Sequence, residues 1–157
     1  MIGLLQRVTG ASIEADGREI ARIGAGLVVL VAVERGDDES TAERLLERLL
    51  SYRVFADAEG RMNLSMTDTG GALLLVPQFT LAADTAKGLR PGFSRAAAPA
   101  DAERLFGYMA KRAEKRVPGA QSGRFGARMR VSLVNDGPVT FWIQAPPHED
   151  PGAIGVS

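Results

Sequence analysis

Two continuous apolar runs, LVVLVAV at 27–33 and ALLLVPQFTL at 72–81, dominate the chain. Each is bounded by turn residues and lacks polar alternation, a pattern that predicts strands buried on both faces. Shorter β-prone runs at 2–8, 11–15 and 19–23 precede them, with Asp16-Gly17 as a hairpin turn. Between the long runs, Ala42, Leu45, Leu46, Leu49 and Leu50 recur at helical spacing behind Asp37, Asp38 and Ser40, which offer N-cap and first-turn acids. A helix over about 39–52 follows. YRVF at 52–55 reads as a short strand, and DAEGRMN after it as a turn.

Pro77 interrupts the second apolar run. Proline donates no hydrogen bond to a sheet ladder, so this strand is expected to end, bulge or lie at an edge near that position. Residues 82–98 lack periodicity and predict a long loop, of the kind that compact domains keep for function. Pro99 then opens a second helix to about Arg116, with Leu105, Phe106, Met109 and Ala113 on one face. RMRVSLV and VTFWIQ predict two more strands on either side of a turn, NDGP at 135–138. From Pro146 the chain has no core pattern, which predicts a flexible tail over 146–157 after one domain over 1–145.

Composition narrows the function classes. The 157 residues contain no cysteine, which removes disulfides, thiolate metal sites and a cysteine nucleophile. No apolar stretch reaches the ~18–20 residues of a membrane span, and no signal sequence opens the chain, so a cytoplasmic protein without a membrane partner is expected. Net charge is zero but unevenly spread: residues 1–83 hold 8 basic and 12 acidic side chains, 84–134 hold 11 and 4, and the rest 0 and 3. A basic third inside a neutral protein is compatible with a phosphate-bearing partner, because local potential governs such contacts.

The usual catalytic inventory is nearly empty. His148 is the only histidine and falls in the expected tail, which argues against a Ser-His-Asp arrangement. No Walker loop or EF-hand spacing is present, and GAGL at 24–27 is a lone glycine pair. What remains is backbone chemistry: amides, a carboxamide and a hydroxyl at Gln78-Phe79-Thr80, and the carbonyls around Gly137-Pro138. An X-Pro bond is cis at a cost of only about 0.5–1 kcal/mol, although trans is the default for an isolated Gly-Pro turn.

Four blocks in colinear order, LLQRV, YRVF.D.EG.MN.S, QFTLAADT.KG.RP.F and GRFGA.M.VSLVNDGPVT, resemble the D-aminoacyl-tRNA deacylases from Met1 to about Gln144. The resemblance implies an α+β fold, one compact domain of mixed and antiparallel sheets with two main helices, assembled as a homodimer with active sites at the interface. It implies hydrolysis of the ester of D-aminoacyl-tRNA and of glycine mischarged on tRNA, with L-esters rejected by a cis Gly137-Pro138 pair reaching into the partner's site. Gln78, Phe79 and Thr80 would line the ester, Met129 would border the pocket, and Arg7 would hold the cis pair. Catalysis would rest on the substrate's own ribose 2′-hydroxyl, with no metal and no cofactor. The partner would be tRNA rather than DNA, with Lys87, Arg90, Arg95, Arg124 and Arg128 as candidate phosphate contacts, joined by Lys111, Arg112, Lys115 and Arg116 on the second helix.

This sequence departs from the family's commonest form at Pro77, usually Ser, and at Gly92, also usually Ser. A branch with relaxed chirality carries proline at the first position and holds its Gly-Pro trans. The alternatives are therefore a relaxed-chirality deacylase and a tRNA-binding module without turnover. A metal-dependent hydrolase of free D-amino acids or peptides is disfavoured by a chain with a single histidine.

Overall fold

The computed structural model describes residues 1–147. The first two β-prone runs form a single strand, β1 (Ile2–Ala15), because its edges are shared among several neighbours. One edge pairs antiparallel with β3 (Gly26–Ala32) from Ile2 to Val8 and with β2 (Arg18–Ile23) from Ala11 to Ala15. Asp16 and Gly17 both adopt positive φ, at 52° and 72°, the turn whose twist suits a two-residue hairpin.

After β3, Asp38 caps α1 (Glu39–Ser51), accepting from the Thr41 amide at 2.8 Å. Asp37, the other candidate cap, turns inward and accepts from the Glu34 amide at 2.6 Å and from the Met1 ammonium at 2.8 Å. YRVF is not a strand as a whole: only Phe55–Ala56 (β4) pairs with Met62–Leu64 (β5), while Tyr52 to Val54 stay irregular. A short helix, α2 (Met66–Thr69), precedes β6 (Ala72–Pro77).

The second long strand stops at Pro77 rather than at Leu81. The Gln78 amide makes the last link to β3, to the Val31 carbonyl at 2.7 Å, and Phe79–Ala82 coil into a 3₁₀ turn. β6 is parallel to β3, which explains why both read as unbroken apolar runs. The following segment is irregular yet pinned, by reciprocal bonds between Asp84 and Gly92 and by a bridge from Glu34 to Ala96.

Helix α3 (Pro99–Arg116) runs over the span predicted for it and packs against α1. Leu45, Leu46 and Leu49 from α1 meet Leu105, Phe106 and Met109 from α3 over one face of the sheet. Burying each such side chain stabilises the fold by roughly 1.5–3 kcal/mol. Outside this core, Arg112 pairs with Glu43 and Arg116 with Glu47, so part of the basic charge of α3 is spent on α1.

β7 (Gln121–Ser122) adds to β6, and the Gln121 side chain bonds both ways with the main chain of Arg22 in β2, at 2.9 and 2.6 Å. The sheet thereby curls until its two ends meet around a second core that includes Val8, Ile13, Val28, Leu74 and Val76. β8 (Met129–Gln144) lies antiparallel along the other edge of β1, paired over Met129–Asn135 and again over Thr140–Gln144.

This last strand corrects an expectation. NDGP does not turn the chain back between two strands; it swells out of one long strand. Gln6 faces Thr140 and Val8 faces Asn135, so two steps along β1 answer to five along β8. The excess residues form a wide bulge that carries Gly137 and Pro138. No helix among the described residues is long and apolar enough to cross a membrane. At the end of β8, Ala145 is buried and bonds Met1, and Arg44 reaches the Pro146 carbonyl. The expected tail lies, from residue 148 and including His148, outside the described residues.

Candidate functional site

Where β6 gives way to the 3₁₀ turn, a cleft of about 470 Å³ opens between Pro77, Gln78 and Phe79 on one side and Phe125, Ala127, Met129 and Val131 on the other. Ala96, Ala97, Pro99 and Ala102 close its floor. The volume suits a small organic group. Among the described residues, none in this lining is titratable. The polar groups on offer are the Gln78 carboxamide, which bonds the Thr80 hydroxyl, and the main chain. The N–H groups of Phe79 and Thr80 open the 3₁₀ turn, and such leading groups have no partner within it.

Phe79 is 56% exposed and leans on Phe93, with ring centroids 5.1 Å apart. Met129 reaches the cleft because Gly123 leaves room for it: a Cβ there would lie 2.8 Å from the Met129 sulfur and 3.1 Å from Pro77 Cδ. Gly123 is held in place by its amide bond to the Leu75 carbonyl at 2.8 Å.

Gly137 and Pro138 sit elsewhere in the chain. They lie six or more residues along β8 from Val131, roughly 15–20 Å for extended backbone, and neither lines the cleft. Both are exposed, and the peptide bond between them is cis. Two side chains brace them. Arg7 donates from Nη1 to the Val54 carbonyl at 2.6 Å and from Nε to the Asp136 carbonyl at 3.0 Å, with the Asp136 carboxylate 3.1 Å away. Asn135 donates from Nδ2 to the carbonyls of Arg7 and Val139, at 3.0 and 3.1 Å. Any side chain at position 137 would collide with this brace, since a Cβ would lie 2.4 Å from Asn135 Oδ1.

A family model described as D-Tyr-tRNA(Tyr) deacylase matches residues 4–144, which takes in the cleft and the braced bulge together. The chain belongs to the D-Tyr-tRNA(Tyr) deacylase family. A D-aminoacyl-tRNA deacylase from Nitrosococcus oceani is 62% identical over 147 residues, 94% of this chain and 95% of that protein. Among solved structures, a c-Myc DNA unwinding element binding protein is 35% identical with a TM-score of 0.88, covering 93% of this chain and 99% of that one. A second, described as "a probable eukaryotic D-amino acid tRNA deacylase", reaches a TM-score of 0.73 over 90% of this chain and 97% of that one. At 18% identity it speaks for the shared α+β fold alone.

Within this deacylase-family chain the expected site residues fall into two groups. Gln78, Phe79 and Met129 share the cleft, with Thr80 at its rim through its bond to Gln78; Arg7, Gly137 and Pro138 form the second group. Of the basic candidates, Arg95 pairs with Glu34 at 2.9 Å and Arg124 with Asp16 at 3.0 Å. Lys87, Arg90 and Arg128 are exposed and make no ion pair among the described residues. Phe125, Gly123 and Asn135 carry no functional signal of their own in the sequence, although each lies within one of the four blocks. Their roles depend on neighbours far along the chain.

Proposed function

We propose that this protein hydrolyses the ester linking a D-amino acid, or mischarged glycine, to tRNA, releasing free tRNA and the amino acid and sparing L-esters. The observation that carries this reading is the apolar, non-titratable cleft with Gln78, Phe79 and Thr80 at its edge, in a chain matched to the deacylase family from residue 4 to 144. Such a cleft suits the terminal adenosine. The ester then lies against the amides of Phe79 and Thr80, which polarise its carbonyl, while the ribose 2′-hydroxyl assists the attack of water. With no acid or base among the described residues of the lining, positioning is what these residues supply.

Chiral selection calls for a second copy of the chain. Among the described residues β8 pairs only with β1, and it leaves Val134 63% and Trp142 52% exposed. A long edge strand of this kind is usually covered. A homodimer formed over β8 would present Gly137 and Pro138 of one subunit to the cleft of the other, with Arg7 as their positioning residue. Their carbonyls then capture the substrate's amino group, and an L side chain collides with the wall where a D side chain points outward. A filter based on collision tolerates many D side chains and admits glycine. Lys87, Arg90 and Arg128 serve the tRNA phosphates; Arg95 and Arg124, already paired, contribute less. A cytoplasmic site of action follows from the substrate.

Pro77 in the cleft wall favours one second reading, a deacylase with relaxed chirality. The DNA-binding description of the c-Myc structure belongs to that protein. Matched D-tyrosyl-, L-tyrosyl- and glycyl-tRNA, followed for ester loss with and without nanomolar protein, distinguish the readings. Loss of D and glycyl esters with L spared supports the proposal; loss of all three points to the relaxed branch. Loss of none leaves a binding module.

A further inference from the structure

We propose that a second cleft, adjoining the first, seats the nucleoside that precedes the terminal adenosine, with its base on the Phe79–Phe93 pair and the phosphate that joins it to the adenosine on Arg35 and Arg104. The inference rests on the deacylase reading and extends it to the strand leading into the site. This cleft measures about 710 Å³ and shares Phe79, Ala96, Ala97 and Pro99 with the first, so one continuous trough leads from one to the other. A strand whose last nucleoside fills the first cleft has this trough beside it.

The lining fits a nucleotide in two respects. Phe79 and Phe93 are 56% and 39% exposed with ring planes tilted 54° to each other, so a base can stack on the open face of one ring and rest against the other. The charge presented is also favourable. Arg35 makes no ion pair among the described residues, only a long bond from Nε to the Ala96 carbonyl at 3.4 Å. Arg104 is tied to Glu39 at 3.4 Å, both side chains more than half exposed, a pair that a phosphate readily displaces. Against them, the acids of the wall are mostly engaged. Glu34 is held by Arg95 and Gln144 at 2.9 and 2.8 Å, and Asp37 is buried against the Met1 ammonium. Asp101 is the remaining carboxylate in the lining. Arginine is suited to such a site, since it binds phosphate and stacks.

The test uses D-tyrosyl-tRNA and the D-tyrosyl esters of adenosine and of the dinucleotide cytidylyl-adenosine. The wild-type protein should cleave the dinucleotide ester with a kcat/KM at least about tenfold above that of the adenosine ester, a stacking increment of ordinary size. Phe93→Ala should remove most of that gap, Phe93→Tyr should keep it, and Arg35→Ala should narrow it; thermal melts check that each variant is folded. Equal cleavage of the two small esters, a gap that survives Phe93→Ala, or activity on tRNA with none on the dinucleotide ester would overturn the inference while leaving the deacylase reading intact. Absence of cleavage on all three substrates would sink the deacylase reading itself.

Discussion

The guanidinium of Arg7 bridges two distant pieces of main chain, the Val54 carbonyl at 2.6 Å and the Asp136 carbonyl at 3.0 Å. The second of these immediately precedes Gly137, so an arginine in the middle of β1 sets where the bulge of β8 points. A bond of this type, with a charged donor, contributes about 1.5–3 kcal/mol. Arg7→Ala should therefore lower kcat/KM on D-tyrosyl-tRNA by roughly ten- to a hundredfold. Arg7→Lys should rescue little, because one ammonium does not reproduce the fork. Steady-state kinetics beside a thermal melt check this; a variant with full D-activity would remove Arg7 from the site.

Gly123 predicts a different kind of loss. An Ala side chain would press on Met129 and Pro77 at 2.8 and 3.1 Å, both of which form the cleft wall. Gly123→Ala should cost about 1–3 kcal/mol of stability, as overpacking does. Its KM should rise more than its kcat falls, because the wall proposed to seat the adenosine is displaced. Unaltered KM and denaturation midpoint would show that the wall yields freely.

The outer side of β8 offers a direct test of assembly. Val134→Lys places a charge on an exposed position of that strand, where it disturbs no core contact within one chain. Sedimentation should then show the wild type as a dimer and the variant as a folded monomer without D-ester activity. A wild type that sediments as a monomer while cleaving D-esters would end the shared-site model.

Ionic strength should matter, and by a calculable amount. If Lys87, Arg90 and Arg128 each neutralise one phosphate, these three contacts alone imply a loss of roughly ten- to fiftyfold in tRNA affinity between 50 and 200 mM salt. The double variant Lys87→Ala/Arg90→Ala should flatten the logarithmic slope by nearly two, whereas Arg124→Ala, already neutralised by Asp16, should barely change it. Filter-binding titrations at several salt concentrations measure the slope, and a flat wild-type response would discard the patch.

Acid should loosen the start of α2. The Ser65 main-chain amide and then its hydroxyl, both donating to Asp68 at 2.8 Å, hold that carboxyl below the usual carboxylate range. A group whose folded pKa is depressed stabilises the fold above its unfolded value of about 3.9, and that contribution disappears as pH falls through the folded value. Asp57 behaves alike, through main-chain bonds from Arg61 and Glu59. The melting temperature of the wild type should fall below about pH 4, and Asp68→Asn should start lower and fall less steeply. Parallel curves would mean that the cap contributes nothing titratable.

Some features were legible because their causes are local. The leucines of α1 and the Pro99 start of α3 follow from spacing and backbone preference within a turn or two, and β3 and β6 follow from unbroken apolar runs. The four blocks likewise marked the family. Other features depend on partners that no local pattern names. NDGP has the composition of a chain reversal, yet whether it reverses the chain or swells from a strand is decided by β1, more than a hundred residues earlier, which pairs on both sides of it. Asp37 looks like a helix cap until Met1 and Glu34 claim it, and Arg95 looks like a free cation until Glu34 pairs with it across 61 residues. The sequence by itself thus determined the two main helices, the two buried parallel strands, the family and the chemical groups available. Only the tertiary structure decided which groups meet, because register, charge pairing and the walls of a cleft are contacts between segments remote along the chain.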